Sequence, residues 1–237
     1  MLTRLRRLFA PTAEIPPLLP DEVVSVVGDV HGCAAQLRAL LPQLPGRIVL
    51  VGDLVDRGED SAEVLALVRE RSDVTVLMGN HEEMLLGFLD APLAGGPRWL
   101  RHGGLQTLAS FGVAGDLDTG SLERRRDDLA LAMGDGCIDW LRARPLVMQS
   151  GNLAVSHAGG DPHRALDAQQ KALVWGHRDF GKVPRRDGMW MARGHVVVTE
   201  PVLGPGVLSL DTGAYAGGPL TAAVLGDGPP RFISAAA

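Results

Sequence analysis

The chain has 237 residues, 46% of them hydrophobic and 22% charged, the balance of a globular protein long enough to bury a sizeable core. Its net charge of −5 leaves no basic surplus for a non-specific nucleic-acid binder, while allowing a local positive pocket for one phosphate. Cys33 and Cys137 are the only cysteines, which excludes a disulfide framework and points to a reducing, cytoplasmic setting.

Residues 1–20 read as a flexible basic and proline-rich tail. Arg4, Arg6 and Arg7 interrupt the apolar residues too often for a secretory signal, and no stretch approaches the length of a membrane span, so no integral membrane association is expected. From residue 21 to 228 the chain reads as one domain. A strand over 23–27 leads into Gly28-Asp29-Val30-His31-Gly32, and a helix over 33–41 stops at Pro42. A second strand over 47–51 delivers Gly52-Asp53-Leu54-Val55-Asp56-Arg57-Gly58. An amphipathic helix over 61–69 follows, with Val64, Leu65, Leu67 and Val68 as its buried stripe. A third strand over 74–78 ends in Gly79-Asn80-His81-Glu82. Strand, polar turn and helix repeat three times, so the fold class is α/β with sites at the carboxyl ends of the strands.

Between 84 and 144 strand signals vanish, and helical stretches are separated by Gly95-Gly96-Pro97, Gly103-Gly104 and the segment 112–120; this reads as a mainly helical insertion. Strand character returns over 146–149 and 153–155, the second leading into Ser156-His157-Ala158-Gly159. A helix over 165–174 precedes Trp175-Gly176-His177-Arg178. Further strands are expected over 190–198, 207–210 and 220–225, with His195 and Asp211-Thr212-Gly213-Ala214-Tyr215 at their ends or turns, and a loose terminus over 229–237.

Taken singly, each polar turn has a plain structural explanation. Asp29 could cap a turn, Glu82 could start a helix, and His157 could be a satisfied core histidine. Together they are harder to dismiss, because three successive strands end in Asp/His, Asp/Asp/Arg and Asn/His, and two later ones end in His. A carboxylate and imidazole cluster of this kind is costly to bury without metal ions or partners.

In order and spacing, G-D-V-H-G, G-D-L-V-D-R-G and G-N-H-E resemble the phosphoprotein phosphatase family of calcineurin-like metallophosphoesterases, and the later H-A-G, G-H and D-T-G-A-Y elements resemble its bacterial and bacteriophage-lambda-type members. The resemblance implies a central β-sandwich flanked by helices, carrying two divalent metal ions. It makes Asp29 and His31 ligands of the first ion, Asp53 the bridging carboxylate, and Asn80, His157 and His195 ligands of the second. Mixed nitrogen and oxygen donors suit Mn, with Fe or Zn as alternatives. His81 matches a general acid, Asp56 the carboxylate that orients it, and Arg57 a bidentate phosphate clamp. The second phosphate-binding arginine matches Arg178, one residue further from its Trp than in lambda-type enzymes. The implied reaction is in-line attack on a phosphomonoester by hydroxide held between the metals.

Two substrate classes follow from the resemblance: a phosphoserine or phosphothreonine protein, or a small molecule such as diadenosine tetraphosphate. The symmetrically cleaving bacterial enzymes typically carry Ala where this chain has Asp56, so the intact His81–Asp56 pair leans toward monoesters. A catalytically silent binding protein is expected to have lost a ligand or the acid, and here none is lost.

Overall fold

A computed structural model describes residues 15–113 and 121–236. In β1 (Val24–Val27) all residues are buried, with Val24 and Val26 facing one apolar layer and Val27 the other. In β2 (Arg47–Leu50) Ile48 and Leu50 take the second layer and Val49 the first. Side chains alternate along a strand, so runs like these need cover on both faces. The parallel crossovers to β2 and then to β3 (Val74–Val76) are made by α1 (Ala34–Leu40) and α2 (Ser61–Arg69), which supply the outer cover.

Between β3 and the fourth strand the described residues form no strand, and the α-helices are α3 (Asn80–Asp90), α4 (Pro92–Trp99), α5 (Leu105–Ser110), α6 (Leu122–Met133) and α7 (Asp135–Arg142). The widened turn at residues 100–104 has Gly103 at φ 110°, and the Gly103 carbonyl accepts the Arg57 amide at 3.2 Å. A Cβ at Gly103 would meet Arg57 N at 2.6 Å, so this helical region docks directly on the Asp53–Arg57 turn through glycine.

The second half contributes β4 (Val147–Ser150), β5 (Leu153–Ser156), α8 (Gln170–Trp175), β6 (Trp190–Arg193), β7 (Val202–Gly204) and β8 (Val207–Ser209). β9 (Leu220–Leu225) and β10 (Arg231–Ala235) return to the first sheet. Two five-stranded sheets result, in the orders β10-β9-β1-β2-β3 and β4-β5-β6-β8-β7. Val24, Val26, Val49, Met148, Val155 and Leu208 belong to the core between them, as in a sandwich. The expected α/β fold with two helix-flanked sheets is therefore observed.

Several boundaries are corrected. The terminus expected to be loose over 229–237 contains β10, paired antiparallel with β9 from Arg231 opposite Val224 to Ala235 opposite Leu220. It escapes a sequence reading because it is a mostly exposed edge strand directly after Pro229-Pro230. In the N-terminal tail, residues 16–19 are not loose. Leu18 packs on the inter-sheet core, Leu19 N donates to Asn152 Oδ1 at 2.7 Å, and the Trp190 indole donates to Pro16 O at 2.8 Å. The basic segment 1–10 and the glycine-rich stretch 114–120 lie outside the described residues. The strand expected over 190–198 ends at Arg193, because His195 turns into a left-handed conformation at φ 67°. Among the described residues no helix is long and apolar enough to cross a membrane.

Candidate active site

The parallel strands of both sheets deliver the predicted ligands. Asp29 and His31 follow β1, Asp53 follows β2, Asn80 opens α3 after β3, His157 follows β5, and His195 follows β6. Five non-glycine residues in the described chain have positive φ: His31 (44°), Asp53 (50°), Asp56 (71°), Arg57 (69°) and His195 (67°). All five are residues that the motifs single out. Left-handed backbone costs an L-residue about 1–3 kcal/mol and persists where surrounding structure enforces it, commonly at functional sites.

The nitrogen and oxygen atoms converge on two clusters that share Asp53. In one, His157 Nε2 and His195 Nδ1 each lie 2.8 Å from Asn80 Oδ1 and 3.1 Å from one another, and Asp53 Oδ1 stands 3.4 Å from His157 Nε2. In the other, Asp53 Oδ2 lies 3.5 Å from His31 Nε2 and 3.9 Å from His81 Nε2, so His81 is part of this cluster as well as of the pair described below. The His31 Nδ1 contact with Val55 O at 2.8 Å fixes which nitrogen faces the cluster. Asp29, which follows β1, borders the clusters without belonging to either, its two oxygens accepting the His195 amide at 3.0 Å each. A Cβ at Gly194 would strike Asp29 Oδ1, so glycine is needed there.

Donors about 2.1 Å from one ion and at right angles to each other stand about 3.0 Å apart, close to the spacing of the His157–His195–Asn80 triangle. The electrostatics agree. Burial pushes Asp29 and Asp53 well above the ordinary carboxylate range, with Asp211 adding to the first and Asp29 to the second. Burial holds His31 and His157 well below the ordinary imidazole range, helped by His81 and His195 respectively. His195 falls to about 4, from burial and the neighbouring Arg193. Neutral imidazoles are ready donors, and a divalent cation supplies the charge that buried carboxylates need. These residues fit a dinuclear site of His, Asp and Asn ligands.

Beside it sits a closed hydrogen-bonded pair. His81 Nδ1 is 2.7 Å from Asp56 Oδ2. Asp56 also receives the Trp99 indole N–H at 3.0 Å to both oxygens and the Thr107 hydroxyl at 2.7 Å. Burial pushes Asp56 up to about 7 against the pull of Thr107 and Trp99, while burial and then Arg57 lower His81 to about 3. The 2.7 Å Nδ1–Oδ2 contact is a hydrogen bond that places one proton between the two groups. His81 Nε2 is buried without a hydrogen-bond partner and lies 3.9 Å from Asp53 Oδ2, facing the ligand cluster. A phosphoester entering with negative charge would favour the protonated imidazole, with Nε2–H directed at it.

Arg57 lies over the Tyr215 ring at 4.6 Å, with Nη1 3.1 Å from His31 Nε2, so its guanidinium borders the His31 cluster. The structure does not bring Arg178 there. Its side chain is 87% exposed on the loop after α8, 4.0 Å from Asp179.

Sequence reasoning missed several supporting residues. Glu82, read only as a helix start, is buried and accepts the amides of Leu54 (2.7 Å), Asp53 (2.8 Å) and Gly79 (2.9 Å), locking the second and third motif turns together. Asp211, part of the D-T-G element, is buried against Asp29 with Oδ2 unpartnered. The signal for both was membership of a motif. Trp99 and Thr107 gave none, since they reach Asp56 from 43 and 51 residues away.

Comparison with known proteins bears on this geometry. The chain is 34% identical over 165 residues to the symmetrical bis(5'-nucleosyl)-tetraphosphatase of Aromatoleum aromaticum, covering 65% of this chain and 52% of that protein. It is 36% identical over 145 residues to the protein of the same name from Chromohalobacter salexigens, covering 58% and 44%. The chain thus spans about half the length of these curated relatives. A crystal structure described as a candidate diadenosine tetraphosphatase matches 92% of this chain and 96% of its own with a TM-score of 0.63 at 25% identity. A Saccharomyces cerevisiae protein serine/threonine phosphatase matches 92% and 81% with a TM-score of 0.60 at 16% identity, a likeness of fold alone. The calcineurin-like phosphoesterase profile matches residues 23–178, a stretch that holds Asp29, His31, Asp53, Asn80 and His157, and the chain belongs to that family.

Proposed function

We propose that this phosphoesterase hydrolyses dinucleoside polyphosphates in a metal-dependent reaction. The observation that carries the reading is the 165-residue similarity to symmetrical tetraphosphatases, joined to a ligand set suited to a dinuclear centre. It displaces the phosphoprotein substrate expected from the sequence to second place.

Divalent ions held by Asp29, His31, Asp53, Asn80, His157 and His195 would polarise the phosphoryl group and activate water. The chain's own groups do the rest. Arg57, pre-oriented on Tyr215, grips phosphate oxygens through its fork of donors. Trp99 and Thr107 hold Asp56, which holds His81 with Nε2 toward the leaving-group oxygen, where it delivers a proton.

One observation favours the second reading, hydrolysis of phosphoserine or phosphothreonine. A nucleotide leaving from an anhydride needs little help, whereas a serine alkoxide needs protonation, and this chain keeps the complete Asp56–His81 pair. The test is a comparison of kcat/KM, with Mn supplied, on diadenosine tetraphosphate and on phosphoserine, phosphothreonine and phosphotyrosine peptides. The dinucleotide is expected to lead by about tenfold or more, equivalent to about 1.4 kcal/mol of transition-state preference. A peptide rate exceeding the dinucleotide rate would overturn the proposal.

A further inference from the structure

Beside the His195 and Asn80 side of the site lies a groove that the chemistry above does not use. Its two lobes, of about 400 and 530 Å³, share Lys171 and Trp175, which stand four residues apart on α8. The groove adjoins the site at two points. Glu83, which lines the smaller lobe, is in the same helical turn as Asn80. Gly176, which lines the larger, is in van der Waals reach of the His195 ring: a methyl group placed there would stand 3.8 Å from Cδ2.

The side chains suit a flat aromatic ligand that carries phosphate. The Arg98 guanidinium lies over the Trp175 ring, 4.3 Å from its centre. The Trp175 indole N–H donates to Glu83 Oε2 at 2.6 Å, which fixes the ring plane and leaves Oε1 to accept from a base amine or a ribose hydroxyl. Arg98, Arg164 and Lys171 against Glu83 and Asp161 give the lining a net positive charge in a chain of net charge −5. Arg98 precedes Trp99, so the end of α4 contributes one residue to the groove and the next to the acid pair.

We propose that this groove is a nucleoside subsite, in which a substrate base stacks on the Trp175–Arg98 pair while Lys171 faces the phosphate chain. The proposal rests on the nucleotide reading above and names residues for it. Stacking platforms are sequence-tolerant because every base presents a π-face, and loss of one weakens binding by about tenfold or more.

The test is calorimetric titration of the 237-residue chain with ADP and, separately, with pyrophosphate, using wild type, Trp175→Ala, Trp175→Phe and Arg98→Ala. ADP affinity is expected to fall about tenfold in Trp175→Ala and to return within about threefold of wild type in Trp175→Phe, while pyrophosphate affinity moves less than about threefold. If circular dichroism shows Trp175→Ala to be unfolded, Arg98→Ala decides by the same comparison. Unchanged ADP affinity in the folded alanine variants, or an equal loss for pyrophosphate, would overturn the subsite. The two proposals fail separately. ADP binding that depends on Trp175, in a protein without dinucleotide hydrolysis, leaves the subsite standing and removes the substrate. Dinucleotide hydrolysis whose KM ignores Trp175 and Arg98 does the reverse.

Discussion

Asp53→Asn is expected to lower turnover by about a thousandfold or more and to leave the purified protein short of both metal ions. The two oxygens of Asp53 serve different imidazoles, Oδ2 lying 3.5 Å from His31 Nε2 and Oδ1 3.4 Å from His157 Nε2. One side chain therefore belongs to both ligand clusters. An amide keeps the shape and can still accept the His81 amide bond, observed at 3.0 Å, so the fold should survive. It loses the negative charge that offsets two cations. Loss of about 4 kcal/mol of transition-state charge stabilisation corresponds to roughly a thousandfold in rate. Metal analysis of the purified variant checks the first half of the claim and steady-state kinetics the second. Full loading with undiminished turnover would contradict the bridging role.

His81→Asn is expected to separate rate from metal binding. His81 Nδ1 is committed to Asp56, and His31 and Asp53 of the same cluster are untouched by the change, so metal binding should largely persist. With an alkyl phosphomonoester, loss of general-acid help should cost about 10²–10⁴ in kcat. With p-nitrophenyl phosphate, whose leaving group departs readily as an anion, the cost should be less than about tenfold. Asp56→Asn should move the same way to a smaller extent, because the amide still meets Trp99 and Thr107 but no longer stabilises an imidazolium. A loss of equal size on both substrates would argue that His81 positions groups rather than delivers a proton.

The residues of the candidate site could be picked out in the sequence because each stands in a short polar run directly after an apolar strand. The sandwich brings those strand ends together, so reading the strands located the site. Asp56 and His81 were legible for the same reason, but the residues that hold them were not. Trp99 and Thr107 lie in the helical region, where a hydrogen bond to a distant carboxylate leaves no trace in the periodicity. Gly103 read as a separator between helices, whereas it is the contact through which those helices meet the Arg57 turn. β10 was invisible because an exposed edge strand lacks the apolar alternation of a buried one. Arg178 was placed by its distance from Trp175 along the chain, and that distance says nothing about the direction of an exposed side chain. Substrate class was the least legible property, since the ligand residues alone do not separate anhydride from ester hydrolysis.

The central claim is that these strand-end residues build a two-metal centre on which phosphoester hydrolysis depends. The most direct test strips the 237-residue chain of metal with a chelator and titrates Mn back, following bound metal and hydrolysis of p-nitrophenyl phosphate in the same samples. Activity is expected to vanish on stripping and to return only as binding approaches two ions per chain, with Asp53→Asn failing to recover. Hydrolysis that persists in the stripped protein, or that saturates at one ion per chain, would contradict it.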